Sequence, residues 1–350
     1  MDDNRFPMSK RLKRAIKNGR TDIVETLVKK GANIKDTKTE DGQTALMLAS
    51  NEGRGEVMLK LVDMGCDCDM EYWDALVQRA LYKAVSNGYV NSAKVLLDKG
   101  ADVNMKDLNG DTLLLNASNL GHTEMVKMFL EKGADVNACN NWGRTPIIDA
   151  SSWGRTDIVS ILLDNGADVN AATITNGMTA LILASEGGHD KIVSMLIDRG
   201  ADINAKNHNG YTPLMLASNN GKTEIVTMLM EKRSNVNLTN NNGYTALMMA
   251  CREEHKEITE LLLENGADVN AVTKSGYTAL ELASIKRCFP DPDHNKEIVT
   301  LLKKYIRRTE LMNQTLETAL VIKKGSTQKG DKPLMASAHK DTIQRIASFF

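Results

Sequence analysis

The chain contains the pentapeptide Gly100-Ala101-Asp102-Val103-Asn104, and this motif returns at a nearly constant step. Further copies of Gly-Ala-Asp-Val/Ile-Asn start at Gly133, Gly166, Gly200 and Gly266, and degenerate copies start at Gly31, Gly65 and Arg233. The steps from 31 to 266 are 34, 35, 33, 33, 34, 33 and 33 residues. A fixed period in this range is typical of stacked supersecondary units, each too small to bury its apolar face alone. The period therefore predicts a repeat fold and favours a binding role over catalysis.

The net charge of −1 hides an uneven distribution along the 350 residues. Residues 1–30 carry nine Lys/Arg and four Asp/Glu, residues 307–350 carry eight and four, and residues 31–306 therefore hold a charge of −10. An acidic middle argues against binding along a nucleic-acid backbone. We interpret the basic ends as solvated termini, with contact to an anionic surface as the alternative.

Cysteine usage and hydropathy give no sign of a cofactor, a metal or a membrane span. The five cysteines are an odd number, and Cys66-X-Cys68 lacks the spacing of a zinc site. No apolar run follows the N-terminal residues, and no stretch of about 18 apolar residues occurs later. We therefore expect a soluble, monomeric, cytoplasmic protein with no cofactor, no metal and no membrane contact.

Residues 208–240 show what one repeat encodes. A turn around Gly210 is followed by Thr212-Pro213, which is a helix cap and then a proline where its missing N–H costs nothing. A short first helix ends before Gly221, and Thr223 begins a second helix with an apolar stripe. The repeat therefore reads as a turn followed by two antiparallel helices.

This pattern resembles the ankyrin repeat, whose first helix carries Thr-Pro-Leu-His-X-Ala. Equivalent first-helix motifs begin at Thr44, Thr112, Thr145, Thr179, Thr212, Thr245 and Thr278. The resemblance implies an all-α ankyrin-repeat solenoid of about nine helix-turn-helix units with β-turn or hairpin fingers. It places an ankyrin-repeat domain at 1–306, with the first unit as a cap. The helical C-terminal tail at 307–350 is then a degenerate repeat or a second cap.

Three departures from the family pattern stand out. The family histidine is replaced in every unit, for example by Met47, Tyr82 and Leu115, and we expect apolar contact to substitute for its hydrogen bonds. The unit at 73–107 has lost its turn glycine and threonine, so we expect a longer first helix there. The last unit carries an insertion near 287–294 between its helices, which predicts a protruding loop.

No constellation of residues points to catalysis. His122, His189 and His255 stand in register with the repeat, and repetition explains them better than a catalytic or metal role. The Asp of the pentapeptide recurs for the same reason, because a short carboxylate bonds nearby backbone N–H groups in a turn. No phosphate loop or nucleophile motif is present, so we predict that the protein is not an enzyme.

The predicted binding residues stand where repeats vary while the scaffold stays constant. Tyr, Trp and Arg are the residues that most often carry interface energy. Resemblance to the ankyrin family places such positions on the concave face, which gives the candidates Leu120, Trp142, Arg144, Trp153, Met178, Tyr211, Tyr244 and Tyr277. The alternative for the tyrosines is recent duplication of the last units.

The sequence thus predicts a non-catalytic scaffold for protein–protein interaction, with another protein as partner and no nucleic acid. The alternative function is a regulatory or effector protein, whose ankyrin array inhibits a partner enzyme or targets it to its site of action.

Overall fold

The computed structural model describes residues 7–34, 44–65, 70–285 and 296–326, with side chains for all of these except 70–76 and 318–326. Eighteen helices account for the regular structure of these residues. Contacts divide the chain into two compact units, Met1–His208 and Asn209–Phe350. The predicted loop at 287–294, the tail at 327–350 and the side chain of Trp73 lie outside the described residues.

Unit 1 contains the first six helix pairs. Its helices are α1 Met8–Lys17, α2 Thr21–Lys29, α3 Ala45–Asn51, α4 Gly55–Asp63, α5 Met70–Ser86, α6 Val90–Asp98, α7 Leu113–Leu120, α8 Thr123–Glu131, α9 Pro146–Ser152, α10 Thr156–Asp164, α11 Ala180–Gly187 and α12 Asp190–Asp198. From α3 onward, each odd-numbered first helix packs against the first helix of the next repeat, and the even-numbered second helices do the same. The unit is therefore a stack of two helical layers.

Unit 2 contains three helix pairs, which we number repeats 7 to 9. Its helices are α13 Pro213–Asn219, α14 Thr223–Glu231, α15 Ala246–Arg252, α16 Lys256–Glu264, α17 Ala279–Ser284 and α18 Lys296–Ser326. The same layered packing recurs, with α13 against α15 and α15 against α17. Single antiparallel bridges between Lys106 and Thr112 in unit 1, and between Val272 and Thr278 in unit 2, close the finger of a repeat.

Threonine caps begin the first helices as the sequence predicts. The Thr112 hydroxyl accepts a hydrogen bond from the Leu115 amide at 3.2 Å, which satisfies one of the amides that a helix start leaves unbonded. The same bond forms at Thr44, Thr179, Thr212, Thr245 and Thr278. Thr145 is the exception, since its hydroxyl makes no such bond.

The last residue of the pentapeptide joins neighbouring repeats. The Asp102 carboxylate accepts a bond from the Asn104 amide at 2.8 Å, which is the turn role predicted for the aspartate. The Asn104 side chain accepts from the Asp135 amide at 2.8 Å and donates to the Gly133 carbonyl at 3.2 Å in the next repeat. Asn137, Asn170 and Asn237 make equivalent pairs of bonds. This inter-repeat ladder explains the Asn of the motif, for which the sequence alone suggested no role.

The histidines before the second helices also bridge repeats. The His189 ring lies over Gly154, where an added Cβ would come within 2.7 Å of the ring, and its Nε2 is 3.3 Å from the Ser152 carbonyl oxygen. In unit 2, His255 Nε2 is 3.1 Å from the Asn219 carbonyl oxygen. Glycine is needed below the ring because its φ is +68° and no side chain fits. These contacts support the structural interpretation of the repeated histidines.

Apolar residues fill most positions of the missing family histidine, but two units differ, with Tyr82 and Glu281. Met47, Leu115, Ile148, Ile182, Met215 and Met248 are all buried in the core, as expected. Tyr82, however, donates a hydrogen bond from its hydroxyl to the Asp111 carbonyl at 2.5 Å. The expectation of purely apolar contact is wrong for Tyr82, because its longer side chain carries the hydroxyl to the backbone of the next repeat.

The third and the last repeats depart from the regular helix lengths. Helix α5 has 17 residues, against seven or eight in α3, α7, α9 and α11, as the loss of the turn motif predicts. Helix α18 has 31 residues and runs through residue 306, the predicted start of a separate tail. The first part of the predicted tail, up to Ser326, thus continues the second helix of the last repeat. In α18, Leu311 and Leu316 are exposed.

Candidate protein-binding surface

In repeats 5 and 8, one sequence position contacts the first helix that follows it. We call it the pre-threonine residue, because it stands directly before the capping threonine. In repeat 5, the Arg144 guanidinium binds the Asp149 carboxylate on α9. In repeat 8, the guanidinium of Arg252 at the end of α15 lies over the Tyr244 ring, 5.5 Å from its centroid. The pre-threonine residues, the fingertips and the exposed sides and ends of the first helices together form what we call the first-helix face.

The Arg144–Asp149 pair is largely removed from solvent. The Asp149 side chain is only 2% exposed and that of Arg144 is 33% exposed. Burial raises the pKa of the Asp149 carboxyl above its usual range, the attraction of Arg144 offsets part of this rise, and the nearby Asp111 adds to it. Arg144 was predicted as a partner contact, and the structure places its charged group in an internal pair that fixes the middle of the face.

A series of hydrogen-bonded polar residues, Asp111, Asn140, Arg144 and Asp149, holds this pair in place, and we call it the polar chain. The Asn140 side chain accepts bonds from the Trp142 and Arg144 amides, both at 3.0 Å, and donates from Nδ2 to the Asp111 carboxylate at 2.7 Å. Asp111 belongs to the preceding repeat, whose backbone is held in turn by Tyr82. The backbone that carries Trp142 and Arg144 is thus bonded across two repeat boundaries.

Large apolar side chains flank the polar chain on repeats 4 to 6. The exposed fractions are 43% for Trp142, 59% for Trp153 and 44% for Leu120, all three predicted, and 100% for Leu108 and 67% for Ile174, neither of which was predicted. Leu108, Trp142 and Ile174 form the fingertip patch, while Leu120 and Trp153 form the helix-end pair of α7 and α9. Backbone bonds from Asn141 to Asn109 and from Ile174 to Trp142 set the three fingertips side by side. An apolar residue within an otherwise polar turn was the signal that could have identified Leu108 and Ile174.

Met178 was predicted as a partner contact, and the structure places its side chain in the interior. Met178 is 8% exposed, and its sulfur accepts a hydrogen bond from the Asn207 side chain at 3.3 Å. Methionine at the pre-threonine position turns inward because its flexible thioether can reach this partly buried donor. The residue is part of the packing between the repeat-6 first helix and the next finger.

The three tyrosines of unit 2 are not equivalent. Tyr211 and Tyr244 are partly buried, and Tyr277 is 45% exposed. Arg252, which covers the Tyr244 ring, also donates to the Asn219 side chain at 3.0 Å and pairs with Glu253 at 3.0 Å. The Tyr244 ring, in the middle repeat of the three, therefore lies beside the guanidinium of Arg252, which is also paired with Glu253.

The described residues offer little for chemistry or for membrane insertion. No group of three His, Cys, Asp or Glu side chains in that part of the chain could hold a metal ion. Among the same residues, no helix combines the length and apolar character that a membrane crossing requires. Cys139 and Cys251 are free thiols, and burial raises the pKa of Cys251 to about 12.

Comparison with known proteins places the chain in a family. The family model described as "Ankyrin repeats (3 copies)" matches residues 12–107, 81–173, 169–240 and 220–314. "Inversin" of Gallus gallus is 31% identical over 74 residues, which are 21% of this chain and 7% of that protein. "Putative palmitoyltransferase ZDHHC13" of Danio rerio is 33% identical over 101 residues, 29% of this chain and 15% of that protein. "Putative ankyrin repeat-containing protein" of Treponema pallidum (strain Nichols) is 34% identical over 104 residues, 29% of this chain and 34% of that protein.

These relatives share a segment of repeats and not a whole architecture, since the matched segments span at most about a third of each. The family match, by contrast, extends from residue 12 to residue 314 and coincides with the helix pairs and the finger turns described above. The chain belongs to the ankyrin-repeat family.

Proposed function

We propose that this protein binds another protein through the first-helix face of repeats 4 to 6 and does not itself catalyse a reaction. Ankyrin repeats generally mediate protein–protein interaction. The observation that carries the proposal is the exposure of five large apolar side chains on three consecutive repeats, in the fingertip patch and the helix-end pair. Exposed apolar patches of this kind mark interaction sites more often than chance.

The polar chain between the two apolar groups supports the same proposal. Asn140, Asp111 and the Arg144–Asp149 pair fix the backbone beneath Trp142 before any partner arrives. A surface that is ordered beforehand loses less conformational entropy on binding, so its apolar contacts contribute more to affinity. Trp142 and Trp153 are the residues expected to contribute most.

We further propose that the protein is monomeric, acts in the cytoplasm and does not bind nucleic acid. The free thiols of Cys139 and Cys251 suit a reducing compartment. The charge of −10 in residues 31–306 disfavours contact with a phosphate backbone. Light scattering after size exclusion tests the oligomeric state, and a salt-dependent mobility shift with DNA or RNA tests the last point.

Affinity purification with a matched control tests the central proposal. Wild-type chain should retain a partner that a Trp142→Ala/Trp153→Ala variant loses. Leu59→Ala is the control, since Leu59 is 43% exposed but lies on the second helix α4. Equal retention by the double variant would exclude this face. Adding the pure chain to the identified partner then shows whether binding alters an enzymatic activity of that partner.

A further inference from the structure

In two fingers, one side chain donates a hydrogen bond to the pre-threonine residue of the preceding repeat, 29 positions earlier. In repeat 5 this finger-turn residue is Asn140, whose Nδ2 donates to the Asp111 carboxylate at 2.7 Å. In repeat 7 the finger-turn residue is Asn207, whose Nδ2 donates to the Met178 sulfur at 3.3 Å. The equivalent pair in unit 2 is Asn240 and Tyr211, and here the donor has no acceptor.

Asn240 is deeply buried, and only one of the two polar atoms of its side chain makes hydrogen bonds. The residue is 5% exposed, and its Oδ1 accepts bonds from the Asn242 amide at 2.9 Å and the Tyr244 amide at 3.0 Å. Its Nδ2 lies out of contact with solvent and has no hydrogen-bond partner in the protein. Leaving a buried donor without an acceptor costs free energy, which calls for an explanation.

The finger turn itself does not require an asparagine at this position. In repeat 9 the finger-turn residue is Thr273, which is 3% exposed and accepts from the Tyr277 amide at 3.0 Å. Its preceding pre-threonine residue is Tyr244, so a tyrosine there is compatible with threonine in the turn. Asn240 therefore carries a donor that neither the turn nor its tyrosine neighbour uses.

The missing acceptor can be named from the repeat in which it is present. In repeat 4 the acceptor is the carboxylate of Asp111, at the position that Tyr211 occupies in repeat 7. In unit 2, Arg252 lies over the neighbouring Tyr244 ring, although its guanidinium is already paired with Glu253, so the argument for an acidic ligand comes from the Asp111 position. A hydrogen bond from a neutral amide to a carboxylate is among the stronger ones in proteins.

We propose that repeats 7 and 8 bind an acidic side chain, Asp or Glu, of a partner peptide. The partly buried Tyr211 side chain turns aside, and the incoming carboxylate accepts a hydrogen bond from Asn240 Nδ2. The Tyr211 and Tyr244 rings contact the aliphatic part of the peptide. This inference rests on the proposed function, since it takes the first-helix face to be a protein-binding surface.

The probe is a phage-displayed library of random twelve-residue peptides, selected on the immobilised full chain. We expect enriched sequences to share an Asp or Glu. A synthetic peptide of the consensus, measured by fluorescence anisotropy, should bind Asn240→Thr at least about tenfold more weakly than wild type. Leu59→Ala is the control, since Leu59 is exposed on the second helix α4, and it should change the affinity less than about twofold.

A second variant tests the same site in the opposite direction. Tyr211→Asp supplies a carboxylate from within the chain, as Asp111 does in repeat 4, and should satisfy Asn240. We expect this variant to unfold at a higher urea concentration than wild type and to lose peptide binding. A gain of stability without loss of binding would contradict the proposal, because the carboxylate would then not compete with the peptide.

The outcomes separate this inference from the proposed function. Enriched peptides that lack an acidic residue, equal binding to wild type and Asn240→Thr, or a selection that enriches no clone would each overturn the acidic subsite. If binding is instead lost in Trp142→Ala/Trp153→Ala, the proposed function stands and only the subsite fails. Binding that survives every one of these substitutions would contradict both.

Discussion

The same substitution at two equivalent positions should have very different effects on stability. Asn140→Thr and Asn240→Thr both replace a finger-turn asparagine with the residue found in repeat 9. In each case the threonine hydroxyl can accept the amide of the pre-threonine residue, as Thr273 does. The two sites differ in the partner of Nδ2, which is a carboxylate 2.7 Å away at Asn140 and absent at Asn240.

The expected magnitudes follow from that difference. Asn140→Thr removes a partly buried hydrogen bond to a charged group, a loss of about 1.5–3 kcal/mol of unfolding free energy. Asn240→Thr removes one bond to Oδ1, from the Asn242 amide, but also removes an unsatisfied donor that costs about 1–3 kcal/mol. The net effect at Asn240 should therefore lie within about 1 kcal/mol of zero, and the two variants should differ by about 2 kcal/mol.

Urea denaturation followed by circular dichroism measures the difference, with hydrogen exchange to locate it. Because each repeat contacts only its neighbours, Asn140→Thr should increase exchange mainly around 107–155, and Asn240→Thr should leave 209–255 protected. Equal destabilisation by both variants would refute the reasoning, since it would mean that Asn240 Nδ2 is satisfied in solution.

Three further outcomes are expected. Glu254→Gly should raise the unfolding free energy by about 1 kcal/mol, as measured by urea denaturation. The reason is that Glu254 has a φ of 66° at a position where the other repeats use glycine. A loss of stability would show that its side chain contributes more than its backbone strain costs. Asp149→Asn should match wild type near pH 3 and exceed its stability near pH 7. The reason is that a raised pKa in the folded state gives stability that is present below the unfolded pKa and lost as the pH rises. A variant less stable at pH 7 would show that the attraction of Arg144 outweighs burial. Trp142→Ala and Trp153→Ala should each change the unfolding free energy by less than about 1 kcal/mol while weakening partner binding by about 2 kcal/mol or more, and a large stability loss with unchanged affinity would make them packing residues.

The sequence by itself determined the period, the helix pairs and the chemistry of the turns. These features depend on residues close together in the chain: a threonine three residues before the amide it caps, or an aspartate two residues before the amide it accepts. Local bonds of this kind form in the same way in each repeat, which is why the repeated motif was sufficient to predict them. The long α5 followed likewise from the loss of a local turn signal.

Only the tertiary structure decided which variable residues face solvent. Met178, Arg144 and Tyr211 hold the same position in their repeats, yet Met178 is buried on Asn207, Arg144 is paired with Asp149, and Tyr211 leaves a donor without an acceptor. For Met178 and Tyr211 the physical reason is that the finger-turn residue at the equivalent position lies 29 residues away, on the neighbouring repeat, whereas Arg144 finds its partner five residues on, in its own first helix. Which of these side chains meet a suitable partner therefore depends on pairs of repeats in contact, and no single motif contains that information.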